Sequence, residues 1–149
     1  MLFSGYNIIL RDRVTSDHCG IYMYVRDSIR HDVLSDLMEE NLEVLWVKIC
    51  PKRHPRGIPS IIVGTVYHSP SATDSLILDF LSESLSKIEA IFPDCGLFLL
   101  EDFIKLNCSR LRNVFGLRQI VAFSTHGQSN LDVVLTNLSV ASFRAPRSL

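Results

Sequence analysis

No apolar run in this chain approaches the roughly 20 residues that a bilayer-spanning helix needs. Its cysteines, Cys19, Cys50, Cys95 and Cys108, are widely spaced and form no Cys-x-x-Cys, which removes the spacing of redox and zinc motifs. They sit in or beside apolar runs, so buried, reduced thiols are expected. The segment MLFSGYNIILRDR has no cationic head followed by an apolar core, and no signal peptide is predicted. There is no basic excess either. The formal net charge is −1, which argues against holding nucleic acid by bulk electrostatics while leaving a local basic groove open. The stretch Lys52-Arg53-His54-Pro55-Arg56-Gly57 is the candidate patch, and its prolines and glycine make it read first as a solvated hairpin loop. No internal repeat and no low-complexity segment appears.

What is present is a globular composition. Apolar residues make up 47% of the 149 and charged residues 21%, enough for one domain with a real core. Together these features predict a soluble intracellular protein with no membrane partner and no small-molecule cofactor.

The chain is punctuated into short elements. Asn7 to Leu10 could be an edge strand, and CGIYMYV (19–25) is a strand rich in aromatic and β-branched residues. Asp27 to Asn41 is polar with scattered apolar residues and suits a loop or short helix. EVLWVKIC (43–50) and SIIVGTVY (60–67) are strands whose basic link makes a hairpin plausible. From Asp74 to Phe92 the period changes: Ile77, Phe80, Leu81, Leu85, Ile88 and Ile91 recur at steps of three and four. That predicts an amphipathic helix with Thr73 or Asp74 as N-cap and Pro93 beyond its end. GLFLL (96–100), RQIVAF (118–123) and LDVVLTN (131–137) read as strands. Strands outnumber helices, and strand–helix–strand occurs once, so the fold class is α/β with a mixed sandwich rather than a doubly wound parallel sheet. Trp46, Phe80, Leu99 and Val133 are expected inside.

Several polar residues fall where strands end. Asp102 follows the run Leu97 to Leu100, Tyr67 closes an earlier strand, and Asp132 opens the last one after the polar loop Ser124 to Asn130. Each has a bland explanation, since an Asp there caps a loop and a Tyr there buries its ring and wets its hydroxyl.

The order of segments adds to this. GYNIILRDR, CGIYMYVRDSI, LEVLWVKI, IIVGTVYHSPS, LFLLEDF and LRQIVAFSTHGQSNLDVVLTN together resemble the endonuclease domain of non-LTR (LINE-type) retrotransposons. That domain belongs to the endonuclease/exonuclease/phosphatase superfamily, which also includes apurinic/apyrimidinic endonucleases. The resemblance implies a four-layered α/β sandwich with the active site at one rim between its sheets, of which this chain would be a fragment with two mixed β-sheets. It implies cleavage of a DNA phosphodiester with a divalent cation, usually Mg²⁺. Tyr67 would touch the scissile phosphate, Asp102 would help to activate the attacking water, Thr125 would lie near the DNA backbone, and Asp132 would orient a histidine. Cleavage of this kind needs an activated water, a cation on the phosphoryl oxygens and donors for the developing charge.

Departures from the family pattern shape the expectation. Where the family has Gly-Asp-Phe-Asn, this chain has Glu101-Asp102-Phe103-Ile104. Residues two apart on a strand share a face, so the Asn would join Asp102 at the phosphate, and Ile104 can neither donate nor accept there. Glu101 adds bulk and a negative charge. The family's upstream metal-binding Glu and closing Ser-Asp-His have no counterpart in the sequence, and Ser16-Asp17-His18 stands in the wrong place in the order to replace them. His31, His54, His68 and His126 show no ligand-like spacing and are expected at the surface. The reading is a truncated, inactive endonuclease-like domain of retrotransposon origin, nuclear if functional, with Mg²⁺ not functionally bound. Uncovered sheet edges would favour self-association. Two alternatives stay open: an active metal-dependent phosphodiesterase, and a non-catalytic module binding nucleic acid or protein.

Overall fold

The computed structural model describes residues 4–11, 20–53, 56–68, 73–102, 106–120 and 132–138. In chain order the elements are β1 (Tyr6–Arg11), β2 (Ile21–Arg26), β3 (Arg30–Val33), a 3-10 turn (Ser35–Leu37), β4 (Val44–Cys50) and β5 (Ile61–Tyr67). They continue with α1 (Asp74–Ile91), β6 (Gly96–Asp102), α2 (Ser109–Phe115), β7 (Arg118–Gln119) and β8 (Asp132–Thr136). Among the described residues, β1 and β2 form an antiparallel pair, and the others form a mixed sheet in the order β3-β4-β5-β6-β8-β7. Among the described strands only β5 and β6 run parallel, with α1 as their crossover. The architecture is an α/β sandwich.

The run VLWV explains how the layers adhere. Val44 and Trp46 face the helices, Leu45 and Val47 face the β1–β2 pair, and all four are fully buried. A strand covered on both faces reads as continuously apolar instead of alternating. Leu81, Leu85 and Ile88 of α1 and Leu111 of α2 close the helical side, while Ile9, Ile21 and Val25 close the other. Arg11 ties the end of β1 to the loop before β4 through the carbonyl oxygens of Glu39 and Leu42. The outer face of the β1–β2 pair leaves Tyr6, Leu10, Tyr22 and Tyr24 exposed.

Some expectations need correction. Arg30–Val33 is a strand within a stretch expected to be loop or short helix, because pairing with β4 overrides a weak local pattern at this mostly exposed edge. The helix Ser109–Phe115 was not expected. It spans seven residues with one buried residue, Leu111, too short for periodicity to show, although Gly116 at φ 64 closes it with a left-handed cap. Ile91 is 61% exposed rather than core-facing, because the last turn of α1 carries it off the packed face. Trp46 and Leu99 are fully buried, whereas Phe80 and Val133 are half-buried against the core. Cys108 is buried but Cys50 and Cys95 are only half-buried, and all three are free thiols. Cys19, Ser16, Asp17 and His18 lie outside the described residues.

Trp46 and Gly64 face each other across the β4–β5 ladder, and the indole ring occupies the space that a Cβ on residue 64 would need. Gly64→Ala is therefore expected to destabilise the protein by about 1–3 kcal/mol through overpacking, and Trp46→Leu in the same chain should recover part of that loss. Urea midpoints of the two single variants and the double variant check it. Additive losses would show that ring and glycine do not share the space.

Candidate functional site

The parallel pairing of β5 with β6 brings the C-terminal ends of both strands to one rim. Tyr67 ends β5 directly beside Asp102, which ends β6. The antiparallel β8 then begins at that same level, with Asp132 in register with Asp102. Adjacent strands put such partners about 5 Å apart at Cα, so three residues distant in sequence occupy a line about 10 Å long. Tyr67 is 37% exposed, and its backbone N–H donates to the carbonyl oxygen of Glu43 at 3.0 Å, which holds the end of β5 in place. Thr125 lies outside the described residues, as do Phe103 and Ile104.

The residue after Tyr67 is not the surface histidine expected. His68 is 8% exposed, and its Nε2 lies 2.6 Å from Oδ1 of Asp74, the first residue of α1. This pair joins the end of β5 to the start of the crossover helix. Asp74 thus spends its carboxylate on the imidazole, and Thr73 occupies the N-cap without a side-chain cap bond. Periodicity carried no sign of this contact. The only signal was a histidine one step past a strand end, with an aspartate six residues on, at a predicted helix start.

Glu101 also departs from expectation. Its side chain does not add an exposed charge at the rim: it is 3% exposed and turns to the helical side, as Leu97 and Leu99 do. The Cys108 thiol donates to its Oε2 at 2.9 Å, while Oε1 has no partner among the described residues. Burial raises the Glu101 carboxyl to about pKa 7, against the opposing pull of the Cys108 hydrogen bond. Burial, then the charge and hydrogen bond of Glu101, push the Cys108 thiol well up, so it is an inert structural sulfur. Near neutrality the group beside Asp102 in sequence is thus partly an uncharged carboxylic acid.

No protein-family profile matches the chain, and no curated protein matches it. Among solved structures the fold is similar to the "Endonuclease domain of TRAS1, a telomere-specific non-LTR retrotransposon". The two share a TM-score of 0.57 at 15% identity, over 89% of this chain and 67% of that one. At that identity the likeness establishes a shared fold. No helix among the described residues is long and apolar enough to cross a membrane.

The buried carboxyl sets a pH dependence whose sign can be worked out. An unfolded Glu gives up its proton near 4.5, and the folded Glu101 near 7. Between those values the folded state binds the extra proton, so stability falls as pH rises and the loss is complete above about 7. A shift of this size corresponds to about 3 kcal/mol. Glu101→Gln should flatten the difference in urea midpoint between pH 5 and pH 8, and should be the more stable protein at pH 8. Parallel profiles for the variant and the parent would contradict the buried-acid account.

Proposed function

We propose that the rim formed by Tyr67, Asp102 and Asp132 is the phosphodiester-binding site of an endonuclease-like domain, and that this chain binds DNA there without cutting it. The observation that supports this reading is the register, which lines up three strand-end residues that the family resemblance assigns to one site. In this reading Tyr67 meets the scissile phosphate, Asp102 helps to activate the attacking water, and Thr125 and Asp132 complete the set. The domain descends from a retrotransposon endonuclease that nicked target DNA.

Loss of turnover follows from the residues themselves. Ile104 stands where the family's asparagine would donate to the phosphate, and a missing donor at the developing charge costs about 2.7–4 kcal/mol of barrier in known cases. Mg²⁺ is the ion that the resemblance implies. Among the described residues no three His, Cys, Asp or Glu gather into a group that could hold a metal.

One observation favours the second reading, a working phosphodiesterase. His68 sits one residue beyond Tyr67, held by Asp74, and an imidazole oriented by a carboxylate is the usual form of a general acid or base. It would stand in for the family's closing histidine.

The test is conversion of supercoiled plasmid to open circles with Mg²⁺, beside the same reaction in chelator. The proposal expects no nicking above background from the unmodified chain or from Ile104→Asn, together with duplex binding that Tyr67→Ala weakens. Chelator-sensitive nicking that disappears in both Asp102→Ala and His68→Gln would overturn it in favour of the second reading. Absence of any saturable duplex binding would remove the DNA-binding half.

A further inference from the structure

The end of the sheet opposite the rim carries a site of different character. β5 is seven residues long, so its first residue lies about 20 Å from Tyr67. Here β3 begins, β4 ends and α1 ends, and a cavity of about 350 Å³ opens between them. Arg30 and Lys48 supply its cations, Ile91 and Phe92 its apolar wall, and Cys50 and Asp94 complete the mouth. The Lys48 ammonium lies 5.0 Å from the centre of the Phe92 ring, which holds the cation in place, and Asp32 is opposite Lys48 in the β3–β4 ladder. Arg30 and Cys50 are opposite each other in the β3–β4 ladder, so the guanidinium rises from the strand next to the lysine.

The segments on either side of β4 differ in charge. Glu39, Glu40 and Glu43 precede β4 on the approach to the rim, whereas Lys52, Arg53 and Arg56 follow it and are exposed at the far end. The basic link between β4 and β5 thus lies on the same side of the fold as the Arg30–Lys48 cavity. A solvated loop has no need of a cavity beside it. The cleft is open but large enough for a small molecule, and an apolar wall with two cations against the one carboxylate of Asp94 suits a flat ring bearing an anion.

We propose that this cavity binds a phosphomonoester carried on a nucleotide, with Lys48 and Arg30 taking the phosphate and Phe92 and Ile91 the base or sugar. The same phosphate can come from a free mononucleotide or from the 5′ end of an oligonucleotide, with the basic loop following the chain of the latter. The rival reading is purely structural: α1 ends here, and cations near a helix C-terminus offset its negative pole. This proposal is independent of the function assigned to the rim.

Titration calorimetry with AMP, inorganic phosphate, and an oligonucleotide with or without a 5′-phosphate tests it. AMP is expected to bind saturably and more tightly than inorganic phosphate, and the 5′-phosphorylated oligonucleotide more tightly than its 5′-hydroxyl form. Arg30→Gln, at an exposed edge, and Lys48→Met should each weaken AMP at least tenfold, yet leave duplex-DNA affinity, which reports the rim, within twofold. Thermal melting checks that both variants fold. No AMP binding by the folded parent overturns the proposal. So do variants that lose melting temperature but no affinity, which is the helix-end reading. Oligonucleotide binding that ignores the 5′-phosphate and depends only on Lys52, Arg53 and Arg56 also overturns it, leaving a loop that attracts polyanions.

Discussion

Seven residues of parallel ladder between β5 and β6 determine where everything else in this molecule can sit. A parallel pair must be joined by a crossover, and α1 supplies it, packing Leu81, Leu85 and Ile88 onto the sheet on its way back. Because the strands run the same way, both deliver their C-terminal residues to one rim. The antiparallel strand β8 then starts at that rim, so that Asp132 meets Asp102. At the other end the same ladder gathers the beginnings of β5 and β6 with the end of α1. The two ends of the sheet hence acquire different residues: two aspartates and a tyrosine at one, and Arg30, Lys48 and Asp94 around an open cleft with an apolar wall at the other.

Side-chain contacts around the rim fix the shape of this end of the sheet. His68 is withdrawn from solvent and held by Asp74, so the turn after Tyr67 is anchored to the helix. Glu101, where the family resemblance expects glycine, finds room by turning beneath α2 and meeting the Cys108 thiol. That accommodation carries a burial penalty for its charge, visible in the raised carboxyl. A bulky acid is therefore absorbed by the core without moving Asp102 out of register with Tyr67 and Asp132. In the proposed function position and reactivity are separable, and the backbone pairing accounts for position.

Much of this architecture was legible in the residues. The steps of three and four from Ile77 to Ile88 fixed α1, and the apolar run VLWV marked a strand, whose cover on both faces only the fold reveals. Tyr67, Asp102 and Asp132 stood out because each stands at one end of an apolar run, although their adjacency needed the sheet order. What stayed hidden depended on contacts distant in sequence. Arg30–Val33 pairs with β4 despite an unpromising local pattern, α2 is too short to show a period, and His68 looks like any turn residue until Asp74 is beside it. Glu101 misled for a related reason. Its neighbour in sequence is the rim, but its neighbour in space is Cys108, and the alternation Leu97, Leu99, Glu101 already placed it on the inner face.

In the proposed function three strand ends make one phosphodiester-binding site. Backbone amide chemical shifts followed during titration with a short DNA duplex test it most directly, because they report location without requiring turnover. The account predicts that the saturating changes centre on Tyr67, Asp102 and Asp132, with the start of β5 unmoved. Changes confined to the basic link between β4 and β5, or spread evenly without saturation, would contradict it.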